Sequence, residues 1–123
     1  MSANRFNFRI WNEKTKEMSP PAHLAITAYP IMQSTGLVTK NGKEVFESDI
    51  LEIPPWHGRS TLFGEVRFIE YEDGESYADF RHFGWSVSYS SDGNLYSMTL
   101  PDALESDAII IGNIYENPDL LKK

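Results

Sequence analysis

The chain contains no cysteine. That excludes a disulfide framework, a thiolate metal site and a cysteine nucleophile. It accords with a reducing, cytoplasmic setting. Long apolar runs are also missing. The longest purely apolar stretch is AIII at 108 to 111, far too short to span a bilayer. The opening MSANRFNFRIWNEK lacks the apolar segment of a signal peptide. Positive charge is scarce: 11 Lys and Arg face 18 Asp and Glu, for a net charge of -7. Duplex-binding proteins draw most of their affinity from neutralised phosphates, so this balance argues against a dedicated nucleic-acid binder.

The charge is unevenly spread. Residues 1 to 45 carry six basic and three acidic groups, and the remainder five basic and fifteen acidic. Only the N-terminal part would attract a phosphate backbone, and weakly. The length of 123 residues suits one domain with a real core.

No window shows a convincing helical stripe. Several alternate with period two, the signature of a strand. In RFNFRIW, Phe6, Phe8 and Ile10 share one face, and Arg5, Asn7 and Arg9 share the other. In WSVSYS, Trp85, Val87 and Tyr89 alternate with serines, and in LYSMTL, Tyr96, Met98 and Leu100 alternate with Leu95, Ser97 and Thr99. Asn41-Gly42, Asp73-Gly74 and Asp92-Gly93 stand between apolar runs, as hairpin turns do. Asp73-Gly74 is expected to join GEVRFIEY to SYADF, and Asp92-Gly93 to join WSVSYS to LYSMTL. AIIIGNIY reads as a closing strand buried on both faces, with Gly112 marking a bulge or close approach. NPDLLKK reads as a short terminal helix with Asn117 as its cap and Pro118 in its first position.

About eight short strands with hairpin spacing predict an all-β, mainly β fold, and a small barrel removes its free edges. Within IMQSTGLVTKNGKEVFESDILEI, residues 31 to 53, Gly36 is expected to reverse the chain and Asn41-Gly42 to reverse it again. Asp49 then opens the first barrel strand, its carboxylate accepting from nearby backbone amides in a structural role. The two prolines of MSPPAHL, residues 18 to 24, mark a connector.

The same central stretch, with NFRIWNEKTKEM before it and IIGNIYENPDLL at the end, resembles the YopX family of small phage and prophage proteins. The order of the segments FRIW, MQSTGL, KNGKEVFESD and GNIYENPDLL is that of the family. Members commonly carry Gly where Ser48 stands, which argues against a strict positive φ at position 48. The resemblance implies an SH3-like barrel for the C-terminal part and brings no catalytic residues with it. The expected organisation is an N-terminal strand-and-loop region, residues 1 to 44, packed on a barrel of residues 45 to 123 that ends in a short helix.

Candidate sites are few. His23, His57 and His82 show no metal-ligand spacing. EYEDGESYAD, residues 70 to 79, gathers carboxylates at one turn but lacks the ligand pattern of a calcium-binding hand loop, and reads as a solvated hairpin tip. RFNFRIW interleaves Arg5 and Arg9 with Trp11, the makings of a stacking platform for single strands. The plainer reading sends its Phe face to the core and its Arg face to water. The loop PPWHGRS places Trp56, His57 and Arg59 together, and Trp and Arg dominate interface hot spots. Those residues are the expected interaction surface, although Trp56 would equally cap the barrel.

Neither a phosphate-binding glycine loop nor a nucleophile elbow is convincing. The expectation is a non-enzymatic phage or prophage accessory protein without a cofactor. Its partner would be a phage or host protein or a second copy of itself. A nucleic-acid-associated role, through the N-terminal strand or by acidic mimicry of DNA, is the alternative.

Overall fold

The computed structural model describes residues 7–19, 30–55, 60–72, 81–91 and 93–122, without the side chains of 69–72, 81–83 and 122. The strands are β1 (Phe8–Asn12), β2 (Glu17–Ser19), β3 (Ile31–Val38), β4 (Glu44–Phe46), β5 (Asp49–Ile53), β6 (Leu62–Glu72), β7 (Arg81–Ser91), β8 (Asn94–Thr99) and β9 (Ile109–Asn113). A short helix, α1 (Leu100–Glu105), follows β8, and a 3-10 helix spans Pro118–Lys122. The protein is mainly β, as its alternating sequence predicts. No helix among the described residues is long and apolar enough to cross a membrane.

The strands form two antiparallel sheets. One has the order β2-β1-β3-β4 and the other β8-β7-β6-β5-β9. β4 straddles position 45, where the sequence suggests a division, and pairs with β3. The chain passes from one sheet to the other within two residues, Glu47 and Ser48. Ser48 ties that crossing down: its amide donates to Val66 O, and its carbonyl accepts from the Ile114 amide. Its φ is 75°, so the residue does hold the left-handed conformation that the absence of Gly argued against. Its two backbone bonds into the second sheet hold it there.

Gly36 also departs from expectation. It does not reverse the chain but lies inside β3, with φ 81°, where the register against β4 shifts between Ser34 and Val38. A glycine at a bulge takes a positive φ without a Cβ penalty. The reversal falls at Asn41-Gly42, closed by Gly42 N–H to Thr39 O and Thr39 N–H to Lys43 O, each 2.9 Å.

The core lies on one face of the larger sheet. Leu51, Ile53, Leu62, Val66 and Val87 line it, and Val45, Leu100, Ala103, Leu104 and Ala108 close over it. Each fully buried Leu, Ile or Val contributes about 1.5–3 kcal/mol relative to an exposed one. Helix α1 supplies part of this cover and escapes the period-two reading, because LYSMTL runs into it without a break. Thr99 is the N-cap, accepting from the Asp102 amide at 3.2 Å, and Pro101 sits in the first turn. Those two residues end the strand and start the helix.

The hairpin joining β7 to β8 is as expected: Ser91 pairs with Asn94, and the register continues without a shift to Ser86 opposite Thr99. At the other end of β7, Glu72 pairs with Arg81, so the strand answering β6 is RHFGWSVSYSS. The expected strand SYADF and its Asp73-Gly74 turn fall outside the described residues.

β9 differs from a strand buried on both faces. Ile109 is 43% exposed and only Asn113 is buried. Among the described strands it is an edge with a single neighbour, β5. Its register against β5 slips between Ile50 and Leu51, which makes the expected bulge beside Gly112. A Cβ there would overlap the Asn117 side chain. That side chain does not cap the helix through its amides but turns back to accept from the Asn113 amide at 3.2 Å.

Candidate functional site

β1 faces the second sheet with the side expected to meet water. Arg9 and Trp11 lie on that side; on the other, Phe8 is 42% exposed while Ile10 is buried. The Arg9 guanidinium donates to Asp49 Oδ1 at 2.7 Å and to Glu47 O at 3.2 Å, and lies 4.6 Å above the Phe46 ring. The Asp49 side chain is 3% exposed and that of Arg9 16%. Oδ2 of Asp49 accepts from the Phe46 amide at 2.8 Å, which is the amide-accepting structural role expected of it. Burial pushes the Asp49 carboxyl above the usual carboxylate range, against Arg9 and the Phe46 amide, which hold it down. Trp11 is buried, donates from Nε1 to Glu13 Oε2 at 2.6 Å and stacks on Tyr115 at 5.9 Å. Neither the stacking platform that RFNFRIW would allow nor the plainer reading with its Arg face in water holds for Arg9 and Trp11: both are consumed inside the molecule, because one strand bridges two packed layers. Lys16 pairs with Glu13. Arg5 lies outside the described residues.

A cleft of about 480 Å³ separates the turn after β3 from α1, lined by Leu37, Lys40, Gly42, Pro101, Leu104 and Glu105. Lys40 closes it electrostatically, reaching Asp107 Oδ1 at 2.7 Å and Glu105 O at 3.2 Å. Its polar groups serve each other and leave little for a ligand.

The third feature is an aromatic rim. β6, β7 and β8 carry Phe68, Trp85, Tyr89, Tyr96 and Met98 on the face that holds the core, beyond its covered part. Phe68 meets Trp85 edge-on at 5.2 Å, and Tyr89 stacks on Tyr96 at 5.7 Å. Trp85, Tyr89 and Met98 are partly buried against the core, while Phe68 is 55% and Tyr96 47% exposed. The opposite face adds Leu95, 71% exposed. From Trp85 to Ser91 and from Asn94 to Thr99 no residue carries a charge. An exposed surface rich in aromatics and methionine and free of charge has the composition of an interface centre. It offers apolar contact, with the hydroxyls of Tyr89 and Tyr96 as its polar groups.

The sequence-predicted surface of Trp56, His57 and Arg59 lies outside the described residues, as do His23 and the tip of the acidic hairpin. Among the described residues no group of three or more His, Asp or Glu is placed to hold a metal ion. The rim went unnoticed as a site in the sequence, yet its signal was there. A two-residue turn at Asp92-Gly93 sets Tyr89 opposite Tyr96 and Val87 opposite Met98 by counting alone.

Comparison with known proteins places the chain. A solved structure, that of protein EF1440 from Enterococcus faecalis, is 24% identical, with 94% of this chain and 96% of that chain covered at a TM-score of 0.46. No curated protein matches. The family model described as "YopX protein" matches residues 12–122, nearly the whole chain, and includes the MQSTGL, KNGKEVFESD and GNIYENPDLL segments of the resemblance, while FRIW lies just before it. The chain belongs to the YopX family.

Proposed function

We propose that this protein is a non-enzymatic protein-interaction module, an accessory protein of phage or prophage origin acting in the bacterial cytoplasm. The observation that carries the reading is the rim of Phe68, Trp85, Tyr89 and Tyr96, two of which are about half exposed beside an uncharged pair of strands. Large rigid aromatics bring apolar contact at low entropic cost and anchor interfaces more often than other side chains. The nucleic-acid alternative loses part of its support, since Arg9 is committed to the largely buried Asp49.

The test is affinity capture of tagged protein from host lysate, with and without nuclease, beside a Phe68→Ala/Tyr96→Ala variant. A stoichiometric protein that survives nuclease and is lost with the variant supports the module. Material retained only without nuclease overturns it in favour of nucleic acid. A variant that captures the same protein undiminished moves the interface away from the rim.

A further inference from the structure

We infer that the outer edge of β8 is a self-association surface, and that its occupant is β8 of a second copy of this chain. The inference rests on the interaction-module reading and names the partner.

Among the described residues, four strands end the two sheets: β2, β4, β8 and β9. Natural proteins blunt such edges by keeping them short, charging them or bending them with bulges, because a free edge templates pairing. Three of the four are blunted here. β2 has three residues and carries Glu17; β4 has three and carries Glu44. β9 is bent by its register slip against β5. β8 has none of these protections. It runs six residues, NLYSMT, with neither charge nor proline, and its register against β7 is regular throughout. It also presents Leu95 at 71% and Tyr96 at 47% exposure. No described strand pairs with its outer side.

Charge permits a second copy at this edge and at few other approaches. The chain carries a net charge of -7, so two copies repel over most approaches. β7 from Trp85 onward and all of β8 hold no charge, so copies meeting there bring no like charges face to face. A basic peptide, the obvious ligand for an acidic protein, would find no carboxylate on these strands.

Symmetry selects the register. A two-fold axis perpendicular to the sheet makes antiparallel neighbours of the two β8 strands and keeps both core faces on one side. Paired residues must then share a face, so the axis passes through a residue and not between two. Centred on Ser97, it sets Tyr96 against Met98 of the second copy, twice, and Leu95 against Thr99. The first pair puts sulfur beside an aromatic ring, and the second sets Leu95 beside the methyl-bearing Thr99. Centred on Tyr96, it would set Met98 against Asn94. The Ser97 register is the better one. It extends the five-stranded sheet into a ten-stranded one and covers the exposed Tyr96 ring.

The absence of cysteine makes the test clean. Ser97→Cys places the new thiol opposite itself across the axis, at a Cα separation of about 4.5–5.5 Å that a disulfide accepts. Leu95→Cys places the two thiols about 13 Å apart along the strands, beyond reach. Mild oxidation is expected to yield covalent dimer from Ser97→Cys and little from Leu95→Cys. Sedimentation of the wild type from low micromolar to near-millimolar concentration is expected to show a monomer–dimer equilibrium. Ser97→Lys, an exposed position in the monomer, sets like charges together and is expected to weaken dimerisation about tenfold or more. Its melting temperature at high dilution should match the wild type, which separates lost pairing from lost folding. A wild type that stays monomeric throughout, a dimer indifferent to Ser97→Lys, or equal cross-linking of the two cysteines each overturns the inference. A monomer that still captures a foreign protein through the rim would sink self-pairing while leaving the interaction module standing.

Discussion

Arg9 and Asp49, forty residues apart in sequence, meet at 2.7 Å between the two sheets. Each arrives from a strand of a different sheet, and both side chains are largely removed from water. Taking one away leaves the other as an uncompensated buried charge, whereas replacing both with apolar groups leaves none. Arg9→Met is expected to cost about 3–5 kcal/mol at neutral pH, and Arg9→Met/Asp49→Leu to recover much of that loss. Chemical denaturation of the two variants checks it. A double variant no more stable than the single one would show that the pair is needed for more than neutralising itself.

The same carboxylate carries a pH signature with a defined sign. Its pKa stands above the usual 3.8 because burial, helped by the neighbouring Glu116, outweighs Arg9 and the Phe46 amide. The folded state therefore holds a proton over a window in which the unfolded state has released it. The contribution of Asp49 to stability is full below the usual carboxylate pKa and falls as pH rises through the folded value. Asp49→Asn should gain on the wild type as pH rises across that window. If the wild type gains instead, the ion pair outweighs burial and the carboxyl lies low.

Ser48 holds a φ of 75° while its amide and carbonyl both bond into the second sheet. A side chain in the left-handed region costs about 1–2 kcal/mol relative to what glycine tolerates. Ser48→Gly is expected to raise the melting temperature, and Ser48→Val to lower it. A glycine variant that melts below the serine protein would mean that the hydroxyl contributes more than the strain removes.

Asn113, 7% exposed, closes the turn after β9. Its Oδ1 accepts from the amides of Tyr115 at 3.0 Å and Glu116 at 2.9 Å, and its amide group donates to Glu116 Oε1 at 3.2 Å. Asn113→Ala leaves two amides without their acceptor, at a cost of about 1–3 kcal/mol. Thermal melts of Asn113→Ala and Asn113→Asp compare loss of the acceptor with its retention. Equal destabilisation by both would assign the effect to the lost donor.

What the sequence determined by itself is local. Alternation in WSVSYS and LYSMTL set the strands, Asp92-Gly93 set their register by its two-residue turn, and Gly112 marked the bulge in β9. Side-chain period and turn chemistry act over a few residues, so a few residues suffice to reveal them. Tertiary structure decided which face of each strand is inside. RFNFRIW has two plausible faces, and only the tertiary packing turned Arg9 and Trp11 inward while also burying Ile10 on the other face. Helix α1 began where a strand pattern was still running, because Thr99 and Pro101 outweighed alternation once Leu100, Ala103 and Leu104 had a core to cover. The free edge of β8 is likewise a property of sheet order, which is decided by pairings between residues far apart in the chain.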